Sequence, residues 1–168
     1  MKSEVRYGLY YGGVSILWVL VMYVTEWNRS KYAGYLNNVA FIGLTYLIFE
    51  WIKEFKNTND GFATVSEIFK GGLIIGVVGG VTSSVFLLIQ VKLIDTEYIG
   101  FVIKKTINDL QESGYSGNEI DQMKRTLEKF STPNMIMFWN VFFNLSFSAL
   151  ISLIFAQFMK KPNPNEIA

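Results

Sequence analysis

The sequence predicts an all-α integral membrane protein, a four-helix transmembrane bundle with an amphipathic helical hairpin between the third and fourth spans. Its 168 residues are 51% apolar and only 17% charged, whereas about 25% of the residues of an ordinary soluble domain are charged. The charges leave four uncharged stretches of 19, 18, 21 and 30 residues. A helix of about 20 apolar residues crosses the hydrocarbon core, and a helix satisfies its own backbone there.

The first span is predicted over about 7–25. Its apolar stretch is longer than the hydrophobic region of a cleavable signal peptide, so we expect an uncleaved anchor. Tyr7 and Tyr11 stand at its start, where an aromatic belt would meet the membrane surface. Gly8 and Gly12 are four residues apart and form a short small-residue face.

The second span is predicted over about 32–50 and the third over about 68–91. In the connection between them, Thr64 and Glu67 have the spacing of a capping box. In this motif the two residues exchange side-chain and backbone hydrogen bonds at a helix start, so the third helix should begin near Val65.

The third span has a small residue at every fourth position. A stripe without bulky side chains lets a neighbouring helix approach closely, which favours association in lipid. The pattern leaves two interpretations open: packing within one chain, or docking of a second copy or another membrane subunit. The stripe consists of Gly72, Gly76, Gly80 and Ser84.

The segment 95–131 is predicted to form the hairpin, because its apolar residues recur at helical spacing. Gly114 favours a helix end, and Ser116 with Glu119 has the spacing of a second capping box. The two interpretations of the hairpin are a position on the membrane surface and a position against the bundle.

The fourth span is predicted over about 133–159, and the following residues 161–168 are predicted to be disordered. Polar residues recur in this span at every fourth position: Asn140, Asn144, Ser148 and Ser152. Amides in lipid require hydrogen-bond partners. The stripe therefore predicts either hydrogen bonds between helices or a polar cavity that binds a hydroxyl-rich group, lined by Asn37, Asn140, Asn144 and Ser148.

The composition also excludes several classes of site. The chain has no His and no Cys, so it has no Ser-His-Asp triad and no thiolate metal site. Its net charge of +1 does not favour nucleic acid. Asp95 and Glu97 precede a helix, where acidic residues favour the helix dipole. We therefore predict no catalytic, cofactor-binding or metal-binding residues, and a metal-assisted enzyme using these two carboxylates is the weakest alternative.

The orientation follows from the number of spans and from the basic residues. With four spans, both termini lie on the same side as the 50–70 loop. Basic residues on that side cluster at span ends, including Arg6, Lys53 and Lys160. Because such residues favour the cytoplasm, both termini are predicted to be cytoplasmic.

Three phrases of the sequence resemble a known family. They are KSEVRYGLYYGGVSILW at 2–18, GFATVSEIFKGGLIIGVVGGVTSSVFLLI at 61–89 and ALISLIFAQFMKKP at 149–162. They are similar to the four-span inner-membrane proteins of Bacteroidota grouped as domain-of-unknown-function family 4199. The resemblance implies an inner-membrane location and no activity. Its members are often encoded beside polyprenyl-type glycosyltransferases.

These observations support two functional hypotheses. The first is a non-enzymatic accessory or assembly subunit that contacts the lipid bilayer and either itself or another membrane subunit through its Gly72–Gly76–Gly80 face. The second is a carrier or flippase component for polyprenyl-linked sugar or another small polar or lipid-linked substrate. Neither hypothesis includes a cofactor or a nucleic acid.

Overall fold

The computed structural model describes residues 2–162, and within them the chain forms helices and no β-strand. An isolated backbone bridge and several turns complete this part of the chain. In chain order the helices are α1 (Ser3–Val24), α2 (Ala33–Asn37), α3 (Val39–Thr58), α4 (Val65–Ile89), α5 (Tyr98–Glu112), α6 (Gly117–Phe130) and α7 (Pro133–Met159), with a 3-10 turn at Trp27–Arg29 and a π-helical turn at Gln90–Ile94.

Three of the helical segments are long and apolar enough to cross a membrane: Ser3–Val24, Val65–Ile94 and Pro133–Met159. Their composition is that of membrane-spanning helices, as the uncharged stretches predicted. The second predicted span is not among them, because the second half of α3 carries charged residues such as Glu50 and Glu54.

The second predicted span, about 32–50, consists of two helices rather than one. The helical hydrogen bonding is interrupted at Asn38, where its side-chain Nδ2 donates to the carbonyl of Gly34 at 2.8 Å. The carbonyl of Leu36 accepts instead from the indole Nε1 of Trp18 at 2.9 Å. Because side chains occupy these two carbonyls, the break leaves neither of them unsatisfied. α3 then continues to Thr58, well past the predicted end.

Both predicted capping boxes are confirmed. At the start of α4, the Thr64 backbone N–H donates to the Glu67 carboxylate at 2.7 Å, and the Glu67 N–H donates to the Thr64 hydroxyl at 3.2 Å. At the start of α6, the Ser116 N–H donates to the Glu119 carboxylate at 2.9 Å, and Ser116 Oγ accepts from the Glu119 N–H. Gly114 has φ +81°, the left-handed conformation expected at a helix end.

The sequence predicted a single membrane domain over 1–168, whereas the described residues group into two compact units. The first unit contains the described chain up to Ser83 and from Asn140 onward, and the second is Ser84–Trp139. The separation arises because α5 and α6 pack mainly against each other.

In the first unit, α1 and α3 run antiparallel. At one end the guanidinium of Arg6 donates to both carboxylate oxygens of Glu54, at 2.5 and 2.6 Å. The core of this unit includes the fully buried Trp51 of α3. Its indole occupies the space beside Gly71 of α4, where an added Cβ would lie 1.9 Å from Trp51 Cη2.

In the second unit, α5 and α6 present amphipathic faces to each other. The apolar residues of α5, such as Val102 and Ile103, are half-buried, whereas Met123 and Phe130 of α6 remain exposed. The capping box at Ser116 therefore orders a helix that buries little apolar surface of its own.

The predicted disordered tail, 161–168, begins with an ordered residue. Lys161 exchanges two backbone hydrogen bonds with Ala63, at 2.8 and 2.9 Å. Its ammonium lies over the ring of Phe62, 5.2 Å from the centroid. The prediction is wrong for Lys161, because the loop before α4 supplies backbone partners. Residues 163–168 lie outside the described residues.

Candidate functional site

The small residues of α4 and the polar residues of α7 face each other within one chain. A Cβ added at Gly72 would lie 1.6 Å from Ser152 Oγ, and one added at Gly76 would lie 2.0 Å from Ser148 Oγ. Because these separations are shorter than any non-bonded contact, only glycine fits opposite the two serines. The two stripes seen in the sequence form the two sides of one helix interface.

Gly80 of α4 lies in the same interface, and Ser84 has its own contact with α7 within the second unit. A Cβ at Gly80 would lie 3.1 Å from Asn144 Cβ, a tight contact that a small shift can accommodate. Ser84 is fully buried, and its hydroxyl donates to the carbonyl of Met137 at 3.3 Å. The face proposed from the sequence as a partner surface is therefore covered by α7 of the same chain.

The glycines of α1 serve a second interface of α4. A Cβ at Gly8 would lie 2.7 Å from Val78 Cβ, and one at Gly12 would lie 2.6 Å from Thr82 Cβ. The order of the contacts shows that α1 and α4 run parallel in this unit. Gly8 and Gly12 thus pack helices of one chain, which was one of the two interpretations that the sequence left open.

Tyr11 is a buried residue that the sequence reasoning placed at the membrane surface. It was predicted to belong to an aromatic belt, and that prediction is wrong because Tyr11 is only 2% exposed. Its ring lies against Gly79, where an added Cβ would be 2.3 Å from Cδ1. The sequence contains a signal for this burial, because Tyr11 lies one turn deeper than Tyr7, on the face of α1 that carries Gly8.

A chain of hydrogen bonds links α1, α7 and α4 through this buried tyrosine. The Tyr11 hydroxyl donates to Oδ1 of Asn144. Asn144 Nδ2 in turn donates to the carbonyl of Asn140 at 2.7 Å and to its Oδ1 at 3.2 Å. Asn140 Nδ2 donates to Ser83 Oγ at 2.9 Å and to the carbonyl of Gly80 at 3.3 Å. We call Tyr11, Asn144, Asn140, Ser83 and Gly80 the buried polar network.

The predicted polar cavity is only partly assembled. Asn140, Asn144 and Ser148 do lie along one side of α7, but Ser148 Oγ donates to the carbonyl of Leu145 at 2.9 Å. Asn37, its fourth predicted member, is exposed at the end of α2. The structure therefore brings three of the four residues to one face, where they contact protein groups.

The break between α2 and α3 borders an open groove. Phe41 of α3 packs against Phe147 of α7, with ring centroids 4.4 Å apart. Beside this pair lies a cavity of about 350 Å³ that opens to the outside. We call it the α3–α7 groove; its lining residues are Asn38, Phe41, Phe143, Ser146, Phe147 and Leu150.

The sequence reasoning did not identify this groove, although a signal existed. Gly34, Asn37 and Asn38 interrupt an otherwise apolar stretch, and glycine and asparagine are poor helix formers. A second, apolar cavity of about 250 Å³ lies on the other side of the break, against α1. Cavities therefore border the start of α3 beside both α7 and α1.

Ionisable groups with shifted pKa values occur in the second unit. The hydrogen bonds from Ser116 lower the pKa of the Glu119 carboxyl. Burial raises the pKa of the Tyr98 hydroxyl, and the nearby negative charge of Asp95 adds to the effect. Asp95 is only 4% exposed, so this carboxylate is more enclosed than an ordinary helix-start acid. Among residues 2–162, no three His, Cys, Asp or Glu side chains are grouped to hold a metal ion.

Residues 6–161 match the family described as "Protein of unknown function (DUF4199)". The chain belongs to this family. The match covers α1 from Arg6 onward, all of α3, α4 and α7, and the second unit. It confirms the resemblance to this family that the three sequence phrases indicated. A search of curated proteins and a search of solved structures each found no match. The description of the family assigns no activity, so functional arguments must come from the chain itself.

Proposed function

We propose that this chain is a non-enzymatic, multi-pass protein of a bacterial inner membrane that serves as an accessory or assembly subunit. The observation that carries the proposal is the buried polar network. Its amides and hydroxyls hold α1, α4 and α7 together, as a scaffold requires. Hydrogen bonds between helices in lipid stabilise and orient them.

A scaffold of this kind would meet its partner through its outer surface. The glycine stripe of α4 is occupied by α7 of the same chain. The contact surface would instead be formed by exposed apolar residues of the outer helix faces, such as Leu17, Tyr46 and Leu150. The contact surface of the proposed subunit is accordingly a lipid-facing helix surface.

The proposal includes a fourth membrane crossing made by α2 and α3 together. α3 runs antiparallel to α1 in the same unit, and its charged half ends near Arg6 at the start of α1. The preceding residues 32–49 carry no charge. Four crossings place both termini on the side of the α3–α4 loop, and the basic residues at that end favour the cytoplasm.

The alternative role, a carrier for polyprenyl-linked sugar, receives less support from the same geometry. A sugar needs free hydrogen-bond donors and acceptors in the interior. The Nδ2 groups of Asn140 and Asn144 already donate to protein acceptors. Binding a sugar there would require breaking bonds that stabilise the helices.

The number of crossings can be tested with single cysteines, because the natural chain contains none. Ser30→Cys and Asn59→Cys flank the α2–α3 region on its two sides. With four crossings, a membrane-impermeant maleimide labels Ser30→Cys in spheroplasts and labels Asn59→Cys only after permeabilisation. Equal labelling of both positions in intact spheroplasts would refute the fourth crossing.

The subunit role can be tested by mild solubilisation of membranes followed by native electrophoresis and mass spectrometry. We expect the 19.2 kDa chain to migrate in a defined complex of larger size. Migration as a monomer across several mild detergents, with no co-purifying copy or partner, would overturn the proposal.

A further inference from the structure

Three lysines meet at one end of the first unit, where α7 ends beside the loop between α3 and α4. The ammonium of Lys56, near the end of α3, donates to the carbonyl of Met159, the last residue of α7, at 3.1 Å. Lys161 exchanges two backbone hydrogen bonds with Ala63 of the loop, at 2.8 and 2.9 Å. Lys160 lies between Met159 and Lys161 in the chain. We call Lys56, Lys160 and Lys161 the lysine cluster.

The turn after α3 holds Lys56 and Lys161 close together. The N–H of Gly61 in this turn donates to the carbonyl of Lys56 at 2.7 Å. The Nζ atom of Lys161 lies 3.9 Å from the position of a Cβ added at Gly61 and 5.2 Å from the centroid of the Phe62 ring. A cation over an aromatic face is attracted by the ring. The cluster is therefore assembled by contacts between α3, the loop and the end of α7.

Carboxylates do not balance the positive charge of the lysine cluster. Among residues 2–162, none of its three ammonium groups forms a salt bridge, whereas Arg6 and Lys53 of the same unit do. The carboxylate of Glu67 instead accepts from the backbone and the hydroxyl of Thr64. In the described part of the chain, the exposed Asp60 forms no salt bridge either. Because like charges repel, an anion beside the cluster would be stabilised.

The part of α7 that leads to the cluster is apolar and exposed. α7 is long and apolar enough to cross a membrane, and it ends at Met159, directly before Lys160. Ile154 and Phe158, about one turn apart on this helix, are 45% and 84% exposed. In a membrane, the end of a crossing helix lies among the lipid headgroups and the preceding turns lie among the acyl chains. A charged cluster and an apolar surface therefore occur together where a lipid presents the matching groups.

We propose that the lysine cluster binds the phosphate of an anionic phospholipid, whose acyl chains lie against Ile154 and Phe158. Ammonium groups form charge-assisted hydrogen bonds with phosphate oxygens, and basic residues at the surface of a membrane attract anionic lipids. The exposed apolar side chains favour a lipid over a free phosphate ion, because the ion has no apolar part. The proposal requires only that α7 crosses a membrane, so it does not depend on the subunit role.

Native mass spectrometry of the purified chain in detergent tests this site. The apparent affinity for the first bound lipid is compared between phosphatidylglycerol and phosphatidylcholine with identical acyl chains. The test variant carries Lys160→Gln and Lys161→Gln, which leave the backbone bonds to Ala63 in place. The matched control carries Lys2→Gln and Lys53→Gln, which remove the same charge at the same end of the first unit but outside the lysine cluster.

We expect the unaltered chain to bind phosphatidylglycerol about fivefold or more tightly than phosphatidylcholine, since each basic residue near the headgroups adds attraction of this order. The test variant should lose most of this preference, whereas the control should keep it. Inorganic phosphate in excess should displace little of the bound phosphatidylglycerol. Thermal unfolding of each variant checks that the fold persists. If the double variant does not fold, Lys160→Gln alone, an exposed position, should lower the preference in the same direction.

Four results would overturn the lipid site. Equal affinity of the unaltered chain for the two lipids would remove the preference for an anion. Equal losses in the test and control variants would assign the preference to the net charge of this end of the chain. Full displacement by inorganic phosphate would assign the cluster to a free anion. A preference that persisted unchanged in a folded variant of Lys160 would show that the cluster is not the site.

Discussion

On one side of α7, Asn144 and Ser148 lie against the glycines of α4, whereas on another side Ser146 lies in an open groove beside Asn38. Both sides carry hydroxyls, and both are set among apolar residues. Asn144 is 3% exposed, and Ser146 belongs to the exposed residues. Serine and asparagine therefore occur both in a buried helix interface and in an open groove.

The comparison shows that the group opposite a polar side chain of α7 determines whether the neighbouring helix can pack closely against it. Opposite Ser148 stands Gly76, whose missing side chain lets the backbones approach. Ser146 instead lines an open cavity together with Phe41 of α3, beside the contact between Phe41 and Phe147. Closed polar contacts hold helices of one chain together, whereas the groove beside Ser146 stays open.

The largest predicted effect on stability comes from adding a bulky side chain at the interface between α4 and α7. Gly76→Leu places a Cβ 2.0 Å from Ser148 Oγ and 2.9 Å from the Asn144 carbonyl, which belongs to the backbone. Because that backbone cannot rotate away, we expect destabilisation of about 3 kcal/mol or more. Thermal or SDS-induced unfolding in detergent micelles measures the loss.

Two further glycine positions calibrate this result. Gly13→Leu should change the stability by less than about 0.5 kcal/mol, because nothing lies within 4 Å of an added Cβ there. Gly80→Ala should cost less than Gly76→Ala, since its nearest contact is at 3.1 Å. If Gly13 and Gly76 responded equally, helix propensity rather than the interface with α7 would explain both.

A smaller effect is expected from opening the buried polar network. Asn144→Leu removes the acceptor of Tyr11 and the donor to Asn140. The unpaired groups left behind should cost about 1–3 kcal/mol. Asn37→Leu is the control, because its exposed side chain lies outside the network. Chemical unfolding monitored by tryptophan fluorescence compares the two variants, and equal losses would contradict a specific role for the network.

Much of the helix layout could be predicted from the sequence, because it depends on local rules. Capping residues fix the starts of α4 and α6 at Thr64 and Ser116. The uncharged stretches correspond to helices long enough to cross a membrane, with α3 as the exception. These features require only neighbours within a few residues.

The pairing of the helices could not be predicted in this way. The stripes at Gly76 and Ser148 were visible, but their mutual contact depends on which helices become neighbours. The break at Asn38 also depends on a distant group, the indole of Trp18, which binds the carbonyl of Leu36. A single sequence carries no direct signal for such long-range contacts.

Removing one hydroxyl from the buried polar network should have a smaller effect on stability. Tyr11→Phe retains the ring beside Gly79 and removes only the hydrogen bond to Asn144. We expect a loss of about 1 kcal/mol, near the average for one hydrogen bond. Tyr10→Phe should have almost no effect, because Tyr10 is 54% exposed. A similar melting temperature for the two variants would show that the Tyr11 bond contributes nothing.

The smallest effect concerns an open polar contact outside the membrane-crossing helices. The hydrogen bonds from Ser116 lower the pKa of Glu119 in the folded chain below its value in the unfolded chain. A group of this kind stabilises the fold above its unfolded pKa, and the contribution disappears as the pH falls through its folded pKa. The start of α6 should therefore loosen only in acid, below the ordinary range of glutamate. Because the carboxylate is exposed, solvent weakens the effect.

Amide hydrogen exchange at the start of α6 measures this loosening as a function of pH. Glu119→Gln removes the titrating group, so its exchange, corrected for the intrinsic dependence on pH, should not change further in acid. Ser116→Ala removes the hydroxyl partner and should expose the same amides already at neutral pH. A pH response that persisted in Glu119→Gln would assign the transition to another acid of the hairpin. The capping box would then be a structural feature without influence on the pH dependence of α6.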